Sequence, residues 1–332
     1  MMERGSVGVI RHHALRLVNV AVLAALMALL YRAVDLGELR VAIRHADLTL
    51  LAVAFALNVP TAVLFAVRSH FVLARLGHRV EARVLIPAMI LGNVAGSLTP
   101  ASTGEILRAA ALRTHANIPA SDSLALVFFE RGLSLYLLAL STGIAAACVS
   151  LAFGQILVVV VASLPLFAAP AFAPLVLRAI PAASERGRGS FAARSLGHLH
   201  DATARLRWIL EDRRLLAGWS LATFVIFTLS ALQVWLLSRA VSDVTNPTQG
   251  WVAFGASQLA GIGSLVPFGL GAMDGSLAAI FHRFGLTLEQ GAATAVLLRL
   301  IITIPYGVTA IICHIYLQRL GVIRQRSKRE QA

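Results

Sequence analysis

Charge is what this chain has least of. Only 14% of its 332 residues are Asp, Glu, Lys or Arg, against about 25% in an ordinary soluble domain. Together with 58% hydrophobic residues and a mean hydropathy of +0.78, that scarcity excludes a soluble globular class. Cysteine is almost missing. Cys148 and Cys313 stand alone in apolar segments, so neither a disulfide framework nor a metal site is expected, and both read as buried thiols. No nucleotide motif, metal-ligand cluster or Ser/His/Asp set occurs. No catalytic residue, metal or cofactor is therefore expected, and the chain reads as a non-enzyme. Acids are few too, 16 against 29 Lys and Arg, for a formal charge of +13. The arginines flank apolar runs, with no aromatic–basic RNA motif among them. The excess is read as membrane topology, not as a nucleic-acid surface.

What is present is a series of apolar runs. Six of them, at 14–34, 48–67, 120–153, 156–177, 215–241 and 288–317, can cross a bilayer, which takes about 20 residues. The first lacks a small-residue cleavage site and reads as a retained helix, not a signal peptide. Pro60 is expected to kink the second. Two other apolar arms, 84–98 and 251–266, are short, and each runs into a proline–glycine break.

Those breaks share a pattern. Ser97-x-x-Pro100-x-x-x-Gly104 recurs half a chain later as Ser264-x-x-Pro267-x-x-x-Gly271. Each is followed by a long apolar run carrying an arginine, Arg131 (after Glu130) in one and Arg299 in the other. The expected fold is an all-α polytopic membrane protein, with six full spans plus two re-entrant broken-helix hairpins arranged as an inverted-topology repeat. The single membrane domain, 1–332, divides into a first half at 14–177 with its hairpin at 84–115 and a second half at 215–318 with its hairpin at 251–284. A basic linker at 178–214, with an amphipathic helix from Phe191 to Trp208, joins them. A basic tail, 319–332, follows.

Arginine placement sets the orientation. With the N-terminus in the cytoplasm, segments 1–16, 68–83, 178–214 and 319–332 hold three, four, eight and five Lys or Arg. The outer loops 35–47, 239–250 and 282–289 hold two, one and one. This is the positive-inside pattern, with both termini cytoplasmic. Three spans separate the hairpins, so one enters from each side. Inverted repeats with broken helices meeting at mid-membrane are the architecture of secondary transporters.

A charge at mid-bilayer costs about 2.5–3.5 kcal/mol on insertion scales, so it faces the protein or a wet cavity. The candidates are Glu105, Arg108, Glu130, Arg131, Asp274 and Arg299, joined by Asn93 and Gln258 on the short arms. Glu105 and Arg108 share a helix face and can pair with each other. Arg131 and Arg299 can grip a phosphate or pin the hairpins through carbonyls. Pro100, Gly104, Pro267, Gly269 and Gly271 read as backbone devices. Gly92/Gly96 and Gly271/Gly275 have the spacing of close helix packing.

The run Asn93, Pro100, Gly104-Glu105, Arg108, Glu130-Arg131, Pro267, Gly269-x-Gly271, Asp274 and Arg299 resembles the lysylphosphatidylglycerol synthase transmembrane-region family, also called flippase-like domain proteins. The resemblance spans about residues 14–318. In the family the second motif usually reads Pro-Gly-Gly-x-Gly with a Glu three residues on; here Phe268 takes the first glycine's place and Asp274 that of the Glu. The resemblance implies movement of lipids or lipid-linked molecules between leaflets of a bacterial inner membrane, with anionic phospholipids, glycolipids and hopanoids as substrate classes. It also implies a stand-alone member, because only 319–332 follows the last span, whereas bifunctional members carry a soluble aminoacyl-transferase domain there. Two other functions fit the residues. One is a membrane-embedded transferase on a lipid-linked substrate using Glu105, Glu130 or Asp274 as base; the other is a non-transporting scaffold that recruits a partner enzyme through its 178–214 segment. The expected partners are a membrane lipid and, at the cytoplasmic face, a partner enzyme or a second copy in a homo-oligomer.

Overall fold

The computed structural model describes residues 36–99, 104–149, 201, 202 and 204–330. Every regular element among them is helical. The expected spans 14–34 and 156–177, Pro100, and the linker up to residue 200 lie outside the described residues. Among the described residues, four helical stretches are long and apolar enough to cross a membrane: Leu48–Arg75, Ala120–Val149, Arg213–Val241 and Leu288–Leu320. Their outer faces carry Val59, Phe71, Leu221, Phe224, Ile311 and Ile312 exposed. Apolar side chains exposed along spans of this length belong against lipid.

The described residues open with α1 (Leu36–Arg44), inside what the sequence suggested was an outer linker. Asp47 then caps α2 (Leu48–Ala56), its carboxylate accepting from the N–H of Thr49 at 2.7 Å and of Leu50 at 3.3 Å. A break at Leu57 leads into α3 (Asn58–Arg75), with Pro60 removing the N–H that would bridge back to Ala56. The span thus runs well past Val67. Arg68, assigned from sequence to a basic loop at 68–83, is instead inside α3 and 5% exposed. The reason is periodic: Asn58, Thr61, Phe65 and Arg68 form one stripe turned inward.

The first hairpin is α4 (Ala82–Leu98) and α5 (Ile106–Ala116), and α5 closes on Asn117 in the left-handed region at φ 53. The long helix α6 (Ala120–Val149) follows. Asp212 caps α7 (Arg213–Val241). The second hairpin has arms α8 (Pro247–Gly263) and α9 (Ala272–Arg283). Asn246 with Gln249, and Thr287 with Gln290, make capping boxes that start α8 and α10 (Leu288–Leu298) where the chain turns. After a π-helical turn, Arg299–Thr303, α11 (Ile304–Glu330) continues without interruption through most of the expected tail.

Each long helix packs on the other half's hairpin arm: α6 lies against α8, and α11 against α4. Gly255 on α8 faces Thr142 so closely that a methyl group there would collide with it. The loops sort onto two ends. At one, Arg75 Nε donates to Asp212 Oδ2 at 2.7 Å while its guanidinium lies 3.7 Å over the Trp208 ring. Beside them His78 Nε2 and Arg205 Nε approach buried Asp122 at 2.6 and 3.3 Å. The Leu215 N–H, with Arg75, holds the Asp212 carboxyl below the usual carboxylate range. At the opposite end the Asp47 N–H donates to the Ala240 carbonyl at 2.9 Å and α1 packs on α10. One cysteine departs from expectation: Cys313 is buried but Cys148 is exposed on α6.

Candidate functional site

The two hairpin tips meet across a cavity of about 420 Å³, walled also by α3, α6, α7 and the π-helical turn. Construction of the first tip starts from Thr99, extended just past α4. Its hydroxyl donates to the Ala95 carbonyl at 3.0 Å and accepts from the Gly104 N–H at 2.5 Å. Gly104 lies so close to the Ala95 carbonyl that no side chain fits there. That closure puts Glu105 and Arg108 on the inner face, both 2% exposed. Gly92 and Gly96 do pack closely, as their spacing suggested, but against charge: a Cβ on Gly92 would stand 2.5 Å from Arg108 Cβ, and one on Gly96 3.0 Å from Glu105 Cγ.

A chain of ion pairs results. Arg108 Nη2 lies 2.9 Å from Glu105 Oε2, and Arg108 Nη1 donates to Glu130 Oε2 at 2.6 Å. Glu105 Oε1 is gripped by Arg131, and Glu130 Oε1 accepts from the Ser69 hydroxyl. Burial of such pairs is tolerated because each carboxylate is met on both oxygens, Glu130 by two hydrogen-bond donors and Glu105 by a hydrogen bond from Arg131 and the charge of Arg108. Arg68 stands beside them, its Nη1 donating to Thr223 Oγ1 at 2.9 Å.

The second tip is built from backbone strain and one ion pair. Leu265, Phe268, Gly269 and Gly271 all have positive φ, at 55, 56, 60 and 78. For Leu and Phe that conformation is unfavourable, and Arg299 holds it in place. Its Nη2 donates to the Phe268 carbonyl at 3.1 Å and to Asp274 Oδ2 at 3.1 Å, and its Nε donates to Asp274 Oδ1 at 2.9 Å. Asp274 also accepts from the Gly271 N–H at 3.0 Å, capping α9. The second GxxxG spacing is not a packing contact, for nothing lies within 4 Å of a Cβ on Gly275.

Of the residues singled out from sequence, Asn93, Glu105, Arg108, Glu130, Arg131, Gln258, Arg299 and Gly269 line the cavity. Asp274 stands outside the lining and acts on it through Arg299; Gly104, Pro267 and Gly271 shape the tips. Sequence reading missed Arg68, Asn58 and Gln233, which also line it. Gln233 Nε2 donates to Asn58 Oδ1 at 3.1 Å, and Asn58 Nδ2 to the Ile301 carbonyl at 3.0 Å. Pro305, four residues on, has no N–H to give Ile301, so Asn58 satisfies an orphaned acceptor. The signal was there: the Asn58, Thr61, Phe65, Arg68 stripe recurs at helical spacing.

Residues 16–310 match the family described as the lysylphosphatidylglycerol synthase TM region. The chain belongs to that family. It is also similar to a UPF0104 membrane protein of Methanothermobacter thermautotrophicus, 25% identical over 304 residues that cover 86% of this chain and 89% of that protein. The lysylphosphatidylglycerol synthase transmembrane-region match takes in both hairpins, the long helix α6 and every cavity residue named above, and ends within α11.

Proposed function

We propose that the protein moves a lipid or lipid-linked amphiphile between membrane leaflets by alternating access of two inverted halves. The observation that carries this is the cavity itself: it lies between the two hairpin tips and mixes buried charge with apolar walls, which suits a head group and the start of its acyl chains. The crossed packing of α6 on α8 and α11 on α4 supports the inverted repeat, and the sorting of loops onto two ends supports opposite entry of the hairpins. On this reading the chain makes six spans and two re-entrant hairpins in a bacterial cytoplasmic membrane, with both termini and the arginine-rich 178–214 segment inside. Anionic phospholipids, glycolipids and hopanoids are the substrate classes. Glu105, Glu130 and Asp274 are each held by arginine, so none is a free base, which favours transport over a transferase. A scaffold that recruits a partner enzyme would have no need of a charged chamber.

The test is leaflet exchange of fluorescent anionic phospholipids in proteoliposomes. Wild type should exchange them, whereas folded Glu105→Gln and Arg131→Ala should lose at least tenfold in rate, as expected when a charge-assisted contact worth about 1.5–3 kcal/mol is removed. Absence of exchange for every head group offered to folded wild type would sink the proposal.

A further inference from the structure

Three guanidinium groups, Arg68, Arg108 and Arg131, stand around two carboxylates, Glu105 and Glu130. Arg108 takes one oxygen of each, Arg131 the other oxygen of Glu105, and Ser69 the other oxygen of Glu130. Among the described residues no carboxylate lies within 4.0 Å of Arg68. Its guanidinium is wedged instead between two rings, 4.5 Å from the Phe65 centroid and 4.6 Å from that of Trp219. Nη1 has Thr223, but Nε, buried at the cavity wall, has no hydrogen-bond partner.

Aromatic faces and one hydroxyl compensate only part of the cost of desolvating a cation. A buried charge of this kind calls for an anion. The rings fix the guanidinium plane, so whatever meets it approaches from the cavity at its edge, in the geometry suited to phosphate oxygens.

We propose that Arg68 is the recognition point for the phosphate of an anionic lipid head group, the ligand supplying the missing negative charge of the chamber. This rests on the cavity being a lipid path, and it assigns selectivity to one residue on α3. Arg108 and Arg131 are engaged by carboxylates and act as the frame. Neutral lipids lack the net charge that the chamber needs, so they should bind poorly.

Trp219 provides a direct readout because it touches the guanidinium. In the purified full-length protein in detergent, dioctanoyl phosphatidylglycerol is titrated against tryptophan emission, with Trp219→Phe as the background to subtract. Dioctanoyl phosphatidylcholine and inorganic phosphate are the comparison ligands. A saturable Trp219 signal with phosphatidylglycerol, at least tenfold weaker with the other two, is expected. Arg68→Lys should weaken it about tenfold and Arg68→Met should abolish it, the scale of one lost charge-assisted hydrogen bond or more. Equal response to phosphatidylcholine in wild type overturns the proposal without any variant. So does saturation by inorganic phosphate at the same concentration, which would make the site one for free anions. Unchanged phosphatidylglycerol binding in folded Arg68→Met overturns it as well. The readout involves no transport, so binding without leaflet exchange would overturn the transport reading and leave this one standing; exchange with Arg68-independent binding would do the reverse.

Discussion

In the first hairpin Glu105 is shared between Arg108 and Arg131, and Arg108 passes on to Glu130, so the tip on α5 and the long helix α6 are knotted by several charges with a surplus cation alongside. In the second, one carboxylate and one guanidinium meet in two parallel bonds, and the same arginine reaches back to the strained Phe268 carbonyl. The spacing is nearly the same in both halves, acid on the returning arm and arginine on the following long helix. What differs is how far the charges extend. The second pair is a closed structural clamp on its own tip. The first is a wider network whose members all line the cavity. The same acid–arginine spacing thus makes a closed clamp at one tip and a wider charge network at the other.

The largest test of that contrast removes one acid from each half. Glu130→Gln leaves Arg108 and Arg68 buried with one carboxylate fewer, and loss of one partner from a buried pair costs about 3–5 kcal/mol. Asp274→Asn keeps an acceptor for Arg299 and loses the cap on Gly271, a cost of about 1–3 kcal/mol. Thermal unfolding in detergent should place Glu130→Gln well below Asp274→Asn. If the two are equally destabilised, the halves do not differ in the way described.

A finer cut compares the pairs themselves by double-mutant cycles. Asp274–Arg299 is enclosed on both sides, with side chains 14% and 16% exposed, and should show a coupling of about 1–3 kcal/mol. In Glu105–Arg131 the arginine side chain is 39% exposed and the glutamate keeps Arg108 when Arg131 is cut, so its coupling should fall near or under about 1 kcal/mol. The reverse order would make the first tip the rigid one.

How much of this was legible beforehand depends on which kind of signal carried it. The helix breaks were readable because proline and glycine interrupt apolar runs at a repeated spacing, and the buried charges, with the Glu105–Arg108 pair, because charge in an apolar run has so few explanations. The cross-helix pairs Glu105–Arg131, Glu130–Arg108 and Asp274–Arg299 were not, since they depend on how the helices pack. Arg68 was not readable in the same way. It stands at the C-terminal end of its apolar run and is followed by Arg75, Arg79 and Arg83, so by charge density it belonged to a loop. Only the inward stripe from Asn58 places it in the chamber. The second GxxxG failed for a related reason: the spacing brings two glycines to one face, but whether another helix comes to that face is settled by tertiary packing.

That failure makes the sharpest small prediction, since the two glycine positions should respond with opposite sign. A methyl on Gly92 would sit 2.5 Å from Arg108 Cβ, so Gly92→Ala must push α4 away from α5 and shift the arginine, an overpacking cost of about 1–3 kcal/mol. Gly275, in α9 with nothing within 4 Å of its missing Cβ, has ordinary helical geometry. Gly275→Ala should therefore stabilise by about 0.4–1 kcal/mol, through lost backbone freedom in the unfolded chain. Thermal unfolding of the two variants beside wild type checks both signs at once. A stabilised Gly92→Ala would mean that the first tip does not depend on close approach at α4. The frame around Glu105 and Arg108 would then have to be held by its charges alone.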